Sequence, residues 1–215
     1  MKAEAVKIHI INWLTNYIKE SGTKGFVVGI SGGIDSAVTS TLGALTRLPV
    51  ICIEMPIHQD SKQVDRAQKH IAFLSDNFSN VSSIKTDLTS VFDGFTSSVS
   101  SDDTEQANLA LANVQARLRM TTLYYHAQIN NYLVLGTGNK VEDFGIGFFT
   151  KYGDGGVDLS PIADLTKTEV FELGKQLNII NDIIIAQPTD GLWGDERTDE
   201  DQIGASYPEL EWAMN

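Results

Sequence analysis

The segment Gly29-Ile-Ser-Gly-Gly-Ile-Asp-Ser36 gathers glycines, hydroxyls and one carboxylate directly after an apolar run and at the start of a helical pattern. Glycines at 32 and 33 let the backbone turn tightly and approach a ligand with no Cβ in the way. The free N–H groups and dipole of the helix that follows favour an anion there. Ser31 and Ser36 can add hydroxyl hydrogen bonds to phosphate oxygens. Asp35 is the exception, because a carboxylate repels a phosphate. A divalent cation between them removes the repulsion, and Mg²⁺ commonly takes one or two carboxylates together with substrate phosphates. The loop therefore points to a nucleotide phosphate and a metal. No lysine follows the glycines, which excludes the Walker pattern, and Ser36 stands where a dinucleotide fingerprint needs its third glycine. The plainer alternative is a glycine turn with Asp35 or Ser36 capping a helix.

Further candidates lie in the second half: Thr137 and Glu142 within Gly136-Thr-Gly-Asn-Lys-Val-Glu142, and Lys151 and Asp158 within Gly147-Phe-Phe-Thr-Lys-Tyr-Gly-Asp-Gly-Gly-Val-Asp158. Lys167, Thr189 and, on a long helical pattern, Arg117 complete the set. Taken singly, each has an ordinary reading. Arg117 is an exposed helix residue paired with an acid; Lys151 and Asp158 are hydrated loop charges; Glu142 is a first-turn acid satisfying the helix dipole. Thr189 after Pro188 is a turn residue, and Phe148 and Phe149 are core. Cys52, inside an apolar run, reads as an inert core thiol rather than a nucleophile.

The elements that position these residues are legible from periodicity. Val6, Ile10, Trp13, Leu14, Tyr17 and Ile18 recur at helical spacing. Continuous apolar runs at 26–30, 50–54 and 132–136, with a weaker one at 81–85, suit strands buried on both faces of a parallel sheet. Helical patterns at 36–46, 64–74 and 105–128 fall between them. This alternation predicts a doubly wound, mostly parallel α/β sheet with helices on both faces. Such sheets bind ligands at the carboxyl ends of their strands. Residues 137–161 are glycine-rich and aperiodic, which predicts a long loop. Thr166-Lys-Thr-Glu169 forms a capping-box pattern opening a helix, and the acidic stretch 191–202 reads as a mobile surface loop.

The net charge of −12 opposes generic nucleic-acid binding, which needs phosphates neutralised by Lys and Arg. It leaves a small nucleotide ligand open. No apolar run reaches about eighteen residues, so no membrane span is expected. The N-terminal helix lacks a signal-peptide layout. One cysteine excludes an intramolecular disulfide framework and fits a reducing, cytoplasmic compartment.

Ser31-Gly-Gly-Ile-Asp-Ser36 resembles the signature of the N-type ATP pyrophosphatases, an adenine nucleotide alpha hydrolase-like group. Its members cleave ATP between the α and β phosphates and adenylate an acceptor oxygen. The order and spacing of the segments around Glu142, Phe148–Gly156, Lys167 and Thr189, together with Ala116-Arg-Leu-Arg-Met120, resemble the ammonia-dependent NAD synthetases from about Phe26 to Tyr207. A GMP synthetase-type or tRNA-modifying member is the alternative, which the Phe-Phe-Thr-Lys-Tyr-Gly-Asp-Gly-Gly stretch disfavours. A nucleotide-binding module without turnover is a second alternative, opposed by intact Asp35, Glu142 and Lys167.

The resemblance implies that Gly29, Ile30, Ser31, Gly32, Gly33, Ile34, Asp35 and Ser36 cradle the ATP phosphates. Asp35 and Glu142 would hold Mg²⁺; Thr137, Lys167 and Thr189 would contact ATP; Arg117, Lys151 and Asp158 would contact deamido-NAD. Asp35 and Lys167 are the catalytic pair in this reading, with the ammonium of Lys167 and the N-terminus of its helix converging on departing pyrophosphate. Ammonia rather than glutamine is the expected donor, since about 25 residues before the first strand are too few for a glutaminase domain. One extra residue is expected near Phe144-Gly145-Ile146 relative to many family members. One domain spanning 1–215 is expected, ending soon after Tyr207 where related enzymes continue, so a truncated C-terminus is one expectation. The family also implies a homodimer, with the helix at 105–128 as an interface element.

Overall fold

A computed structural model describes residues 1–99, 104–193 and 197–214. The chain opens with α1 (Ala3–Ser21), then β1 (Phe26–Gly29), α2 (Ile34–Leu45), β2 (Val50–Glu54), α3 (Ser61–Asn77) and β3 (Val81–Lys85). It continues through α4 (Thr89–Ser98), α5 (Glu105–Asn130), β4 (Leu133–Leu135) and a π-helix (Lys140–Ile146). The described residues close with α6 (Lys167–Gln176), α7 (Asn181–Ile184), α8 (Asp199–Ile203) and α9 (Tyr207–Ala213).

The strands form one parallel sheet in the order β3-β2-β1-β4. All four apolar runs are strands; β1 and β2 are buried on both faces, whereas the edge strand β3 leaves Ser82, Ser83 and Lys85 exposed. Alternate residues feed two cores. Phe26, Val28, Val50 and Cys52 face α1, α2 and α6, while Val27, Ile51, Ile53 and Val134 face α4 and α5. Chain order runs outward from β1 to β3 and then returns to β4 on the other side of β1. The switch point therefore lies between β1 and β4, and the segments leaving those two strands carry Asp35 and Glu142. The topology alone brings the two acids together.

Two expectations need correction, and one plain reading of single residues fails. The stretch 137–161 is not all loop: Lys140–Ile146 winds as a π-helix, with Asn139 as its cap. The described part of the acidic stretch is not an open surface loop either. Residues 194–196 lie outside the described residues, but Thr198 and Asp201 form a capping box for α8, and Asp199 is buried. Phe149 is not core; it is 43% exposed and lines the main cleft with Phe148. Trp13 and Tyr17 also remain partly exposed, so α1 buries the narrower stripe Ile10, Leu14 and Ile18.

Candidate active site

The loop after β1 is held by its own hydroxyls. Ser36 Oγ accepts from the Ser31 amide at 3.2 Å and donates to the Gly33 carbonyl at 3.1 Å, while Ser31 Oγ accepts from the Gly33 amide at 3.2 Å. Gly32 adopts φ +84°, and a Cβ there would lie 2.4 Å from the Gln63 carbonyl oxygen, so this position requires glycine. α2 starts at Ile34 with no side-chain cap. Its first-turn amides are thus available to an anion, as the sequence implied.

Behind the loop is a buried ion cluster. Lys167 Nζ donates to Asp35 Oδ2 and to Glu142 Oε1, each at 2.7 Å, and the lysine is 2% exposed. Asn139, fully buried, caps the π-helix by accepting from the Val141 and Glu142 amides, and its Nδ2 donates to Asp35 Oδ1 at 3.1 Å. Tyr207 OH donates to Glu142 Oε1 at 2.5 Å and lies 3.2 Å from Asp199 Oδ2. Four separate elements therefore fix one pair of carboxylates.

The electrostatics follow from this packing. Burial works against a charged Lys167, but the two carboxylates overcome it and raise its pKa. Burial pushes Asp35 up, partly countered by Lys167. Glu142, although burial opposes it, is held below the ordinary range by Lys167 and Tyr207. Burial also raises the Tyr207 phenol, which stays neutral and has one proton to give. The shorter contact, to Glu142, takes that proton. Asp199 is pushed up to about 7 by burial, and its Oδ1 is buried without a hydrogen-bond partner. A neutral Asp199 can donate to the tyrosine oxygen, which completes the chain.

The cluster forms one end of a cleft of about 400 Å³. Gly29, Ile30, Ser31, Asp35, Ser36, Thr137, Glu142 and Thr189 line this cleft, and Gly33, Ile34 and Lys167 line an adjoining recess. The structure thus unites the residues expected at ATP. Arg117, Lys151 and Asp158 are not part of the cleft wall. Arg117 and Lys151 meet on the exposed side of α5, where Arg117 Nε donates to the Lys151 carbonyl at 3.2 Å. Asp158 accepts from Tyr124 OH at 3.0 Å and from the Val134 amide at 2.8 Å, which ties α5 to β4.

One local expectation fails. The N-terminus of α6 is not open to pyrophosphate, because Thr166 and Glu169 close a capping box and Glu211 accepts the Thr168 amide at 2.8 Å. Lys167 faces the cluster through its side chain alone.

A sequence model of the NAD synthase family matches residues 6–215. The chain belongs to the NAD synthase family. An NH(3)-dependent NAD(+) synthetase of Carboxydothermus hydrogenoformans is 42% identical over 205 residues, covering 94% of this chain and 81% of that protein. One from Methanosarcina acetivorans is 40% identical over 209 residues, covering 96% and 79%. Among solved structures, NMN synthetase from Francisella tularensis matches with TM-score 0.90 at 33% identity, covering 100% of this chain and 86% of that one. An NH3-dependent NAD synthetase from Campylobacter jejuni matches with TM-score 0.76 at 31% identity, covering 86% and 77%.

Sequence reasoning missed several residues of this NAD synthase site. Asn139 had a usable signal, an Asn directly before a helical segment. Tyr207 and Asp199 had none, because they arrive from the far end of the chain. Arg119 also lines the cleft; it donates to the Met55 carbonyl at 3.1 Å and to Gln59 Oε1 at 2.8 Å. Burial lowers it to about 10, so it remains a cation at neutral pH. Its companion Arg117, two residues away on the same helix, faces solvent.

Proposed function

We propose that this chain converts deamido-NAD to NAD with ATP and ammonia, releasing AMP and pyrophosphate. The carrying observation is the convergence of Asp35 and Glu142 on a single cationic point, at 2.7 Å each, beside an uncapped helix start and a glycine loop. Such an arrangement suits a nucleotide triphosphate better than any other common ligand.

The donor set fits magnesium. Two carboxylates meet, and no group of three or more His, Cys, Asp or Glu at metal spacing occurs among the described residues. Carboxylate oxygens suit Mg²⁺, which commonly takes one or two carboxylates together with substrate phosphates. Asp35 and Glu142 would hold it, and the ion would neutralise phosphate charge.

In the reaction a nicotinate carboxylate oxygen attacks the ATP α-phosphorus. The bond to the β-phosphate breaks, and pyrophosphate leaves with the electron pair. Ammonia then adds to the acyl adenylate carbonyl, loses a proton, and AMP departs. The chain's residues mainly align and neutralise. The α2 amides and loop serve the phosphates, Lys167 offers a cation to the breaking bond, and Thr137 and Thr189 bracket the nucleotide. Arg117, Lys151 and Asp158 receive the dinucleotide acceptor in this reading. Exposed Leu109, Tyr125 and Ile129 on the same helix, α5, support a second copy of the chain packing there. A homodimer acting in the cytoplasm belongs to the same proposal, and so does a single catalytic domain spanning the chain.

A second reading concerns the acceptor. The match to an NMN synthetase, at TM-score 0.90 against 0.76 for the Campylobacter enzyme, favours a mononucleotide lacking the adenylyl half. The amide chemistry is the same. Product formation with ammonium chloride, supplied with deamido-NAD or with nicotinate mononucleotide, separates the two. NAD formed at the higher kcat/KM supports the first reading, and NMN formed at the higher value supports the second. Turnover on neither acceptor, or turnover that needs glutamine, overturns the proposal.

A further inference from the structure

α3 packs so closely on the phosphate loop that the Gln63 backbone occupies the space a Gly32 side chain would need. One position matters beyond this packing. Arg66, on the same helix, donates from Nε to the Gly32 carbonyl at 3.1 Å. A guanidinium carries five N–H donors in a fixed fork, so this bond anchors the group and leaves the rest of the fork for another acceptor. Arg66 and Lys167 are the two basic side chains around the recess that adjoins the cleft, where they stand with Ser31, Gly33 and Thr189.

The charge balance of this recess is informative. Asp35, Asp190 and Asp199 also line it, so an anion entering unaided is repelled. Lys167 already serves Asp35 and Glu142. The hydrogen bond that Arg66 makes is to a backbone carbonyl, not a carboxylate, so its charge is not spent on an acid at hydrogen-bond range. In a wall this acidic, removing one cation tips the balance against a polyanion more than it would on a neutral surface.

We propose that Arg66, on α3 beside the loop and lysine already assigned to ATP, is a further residue that contacts the β,γ end of the nucleotide and the pyrophosphate released from it. The inference deepens the proposed ligase reading and rests on it. The ligand chemistry, a diphosphate, comes from two sources, the uncleaved triphosphate and the free product. Separate arms of one experiment distinguish them.

Binding of inorganic pyrophosphate, ATP and AMP, each with magnesium chloride, is measured by calorimetry on the purified chain and on Arg66→Gln. Product inhibition by pyrophosphate is measured alongside. Loss of a charge-assisted contact predicts that Arg66→Gln weakens pyrophosphate about tenfold or more and ATP by several-fold, while AMP is unchanged. Arg66→Lys, which keeps the charge but loses the fork, is expected to recover part of the pyrophosphate affinity and guards against a folding defect in the glutamine variant. Equal weakening of AMP and pyrophosphate, or unchanged pyrophosphate affinity in Arg66→Gln, overturns the inference. So does a parent chain that does not bind pyrophosphate. None of those results touches the ligase reading, which stands or falls on acceptor-dependent release of AMP by the parent chain.

Discussion

The two halves of the site are built in opposite ways. Around Asp35, Glu142, Lys167 and Tyr207, charges are buried, mutually bonded and fixed by elements from four parts of the chain. Around Arg117, Lys151 and Asp158, charges are exposed, and their partners are a backbone carbonyl, a tyrosine ring, a phenol and a backbone amide. Preorganisation is valuable where charge develops at phosphorus, because oriented groups in a dry site need not reorganise during the reaction. It matters less where a bulky acceptor must enter and a product must leave. The contrast teaches that stability and chemistry are coupled at one end of the cleft and separable at the other.

The strongest way to break this comparison is Lys167→Met. It leaves two half-buried carboxylates facing each other without their cation, so stability should fall by about 2–4 kcal/mol and turnover by orders of magnitude. Urea denaturation and an NAD assay check both, and a variant of parental stability would place the cluster in water. Next comes Tyr207→Phe, which strips Glu142 of a buried donor. A loss of about 1–3 kcal/mol is expected, with reduced kcat.

Asp199 sharpens the picture through pH. Its folded pKa of about 7 lies above the unfolded carboxylate value, so the folded chain holds the extra proton between the two. Stability contributed by that proton is present at low pH and is lost as pH rises through 7. Asp199→Asn cannot ionise. Matched with the parent near pH 5, it should gain on it by about 2–3 kcal/mol at pH 8, read from unfolding curves at both pH values. A constant difference would show that Asp199 is already ionised in the fold. The smallest stability effect belongs to the exposed side: Arg117→Gln should shift unfolding by less than about 0.5 kcal/mol. The same change should raise KM for the acceptor about tenfold and leave KM for ATP alone.

This division also explains what the sequence could disclose. Strands β1, β2 and β4 announce themselves as apolar runs, and the phosphate loop as a glycine turn between strand and helix. Asp35 was readable from its loop, whereas Glu142 was paired with it only through the family resemblance; the parallel order β3-β2-β1-β4 supplies the physical reason they meet. Tyr207 and Asp199 were not readable, since a hydroxyl and an acid some sixty residues beyond Glu142 in sequence carry no periodic signal toward it. The acidic composition of 191–202 suggested solvent, yet one of those acids is buried by its bond to Tyr207. The π-helix escaped because glycines at 145 and 147 mimic a loop. Short elements such as α4, α7 and α9 lack the length for a period to emerge.

The fate of an ¹⁸O label tests the central claim most directly. Acceptor labelled in its nicotinate carboxylate is turned over with ATP, magnesium and ammonium, and the products are read by ³¹P NMR or mass spectrometry. Attack of that carboxylate on the α-phosphorus predicts one ¹⁸O in AMP and none in pyrophosphate. Label in orthophosphate accompanied by ADP would mean attack at the γ-phosphorus, and the account of this cluster would be wrong.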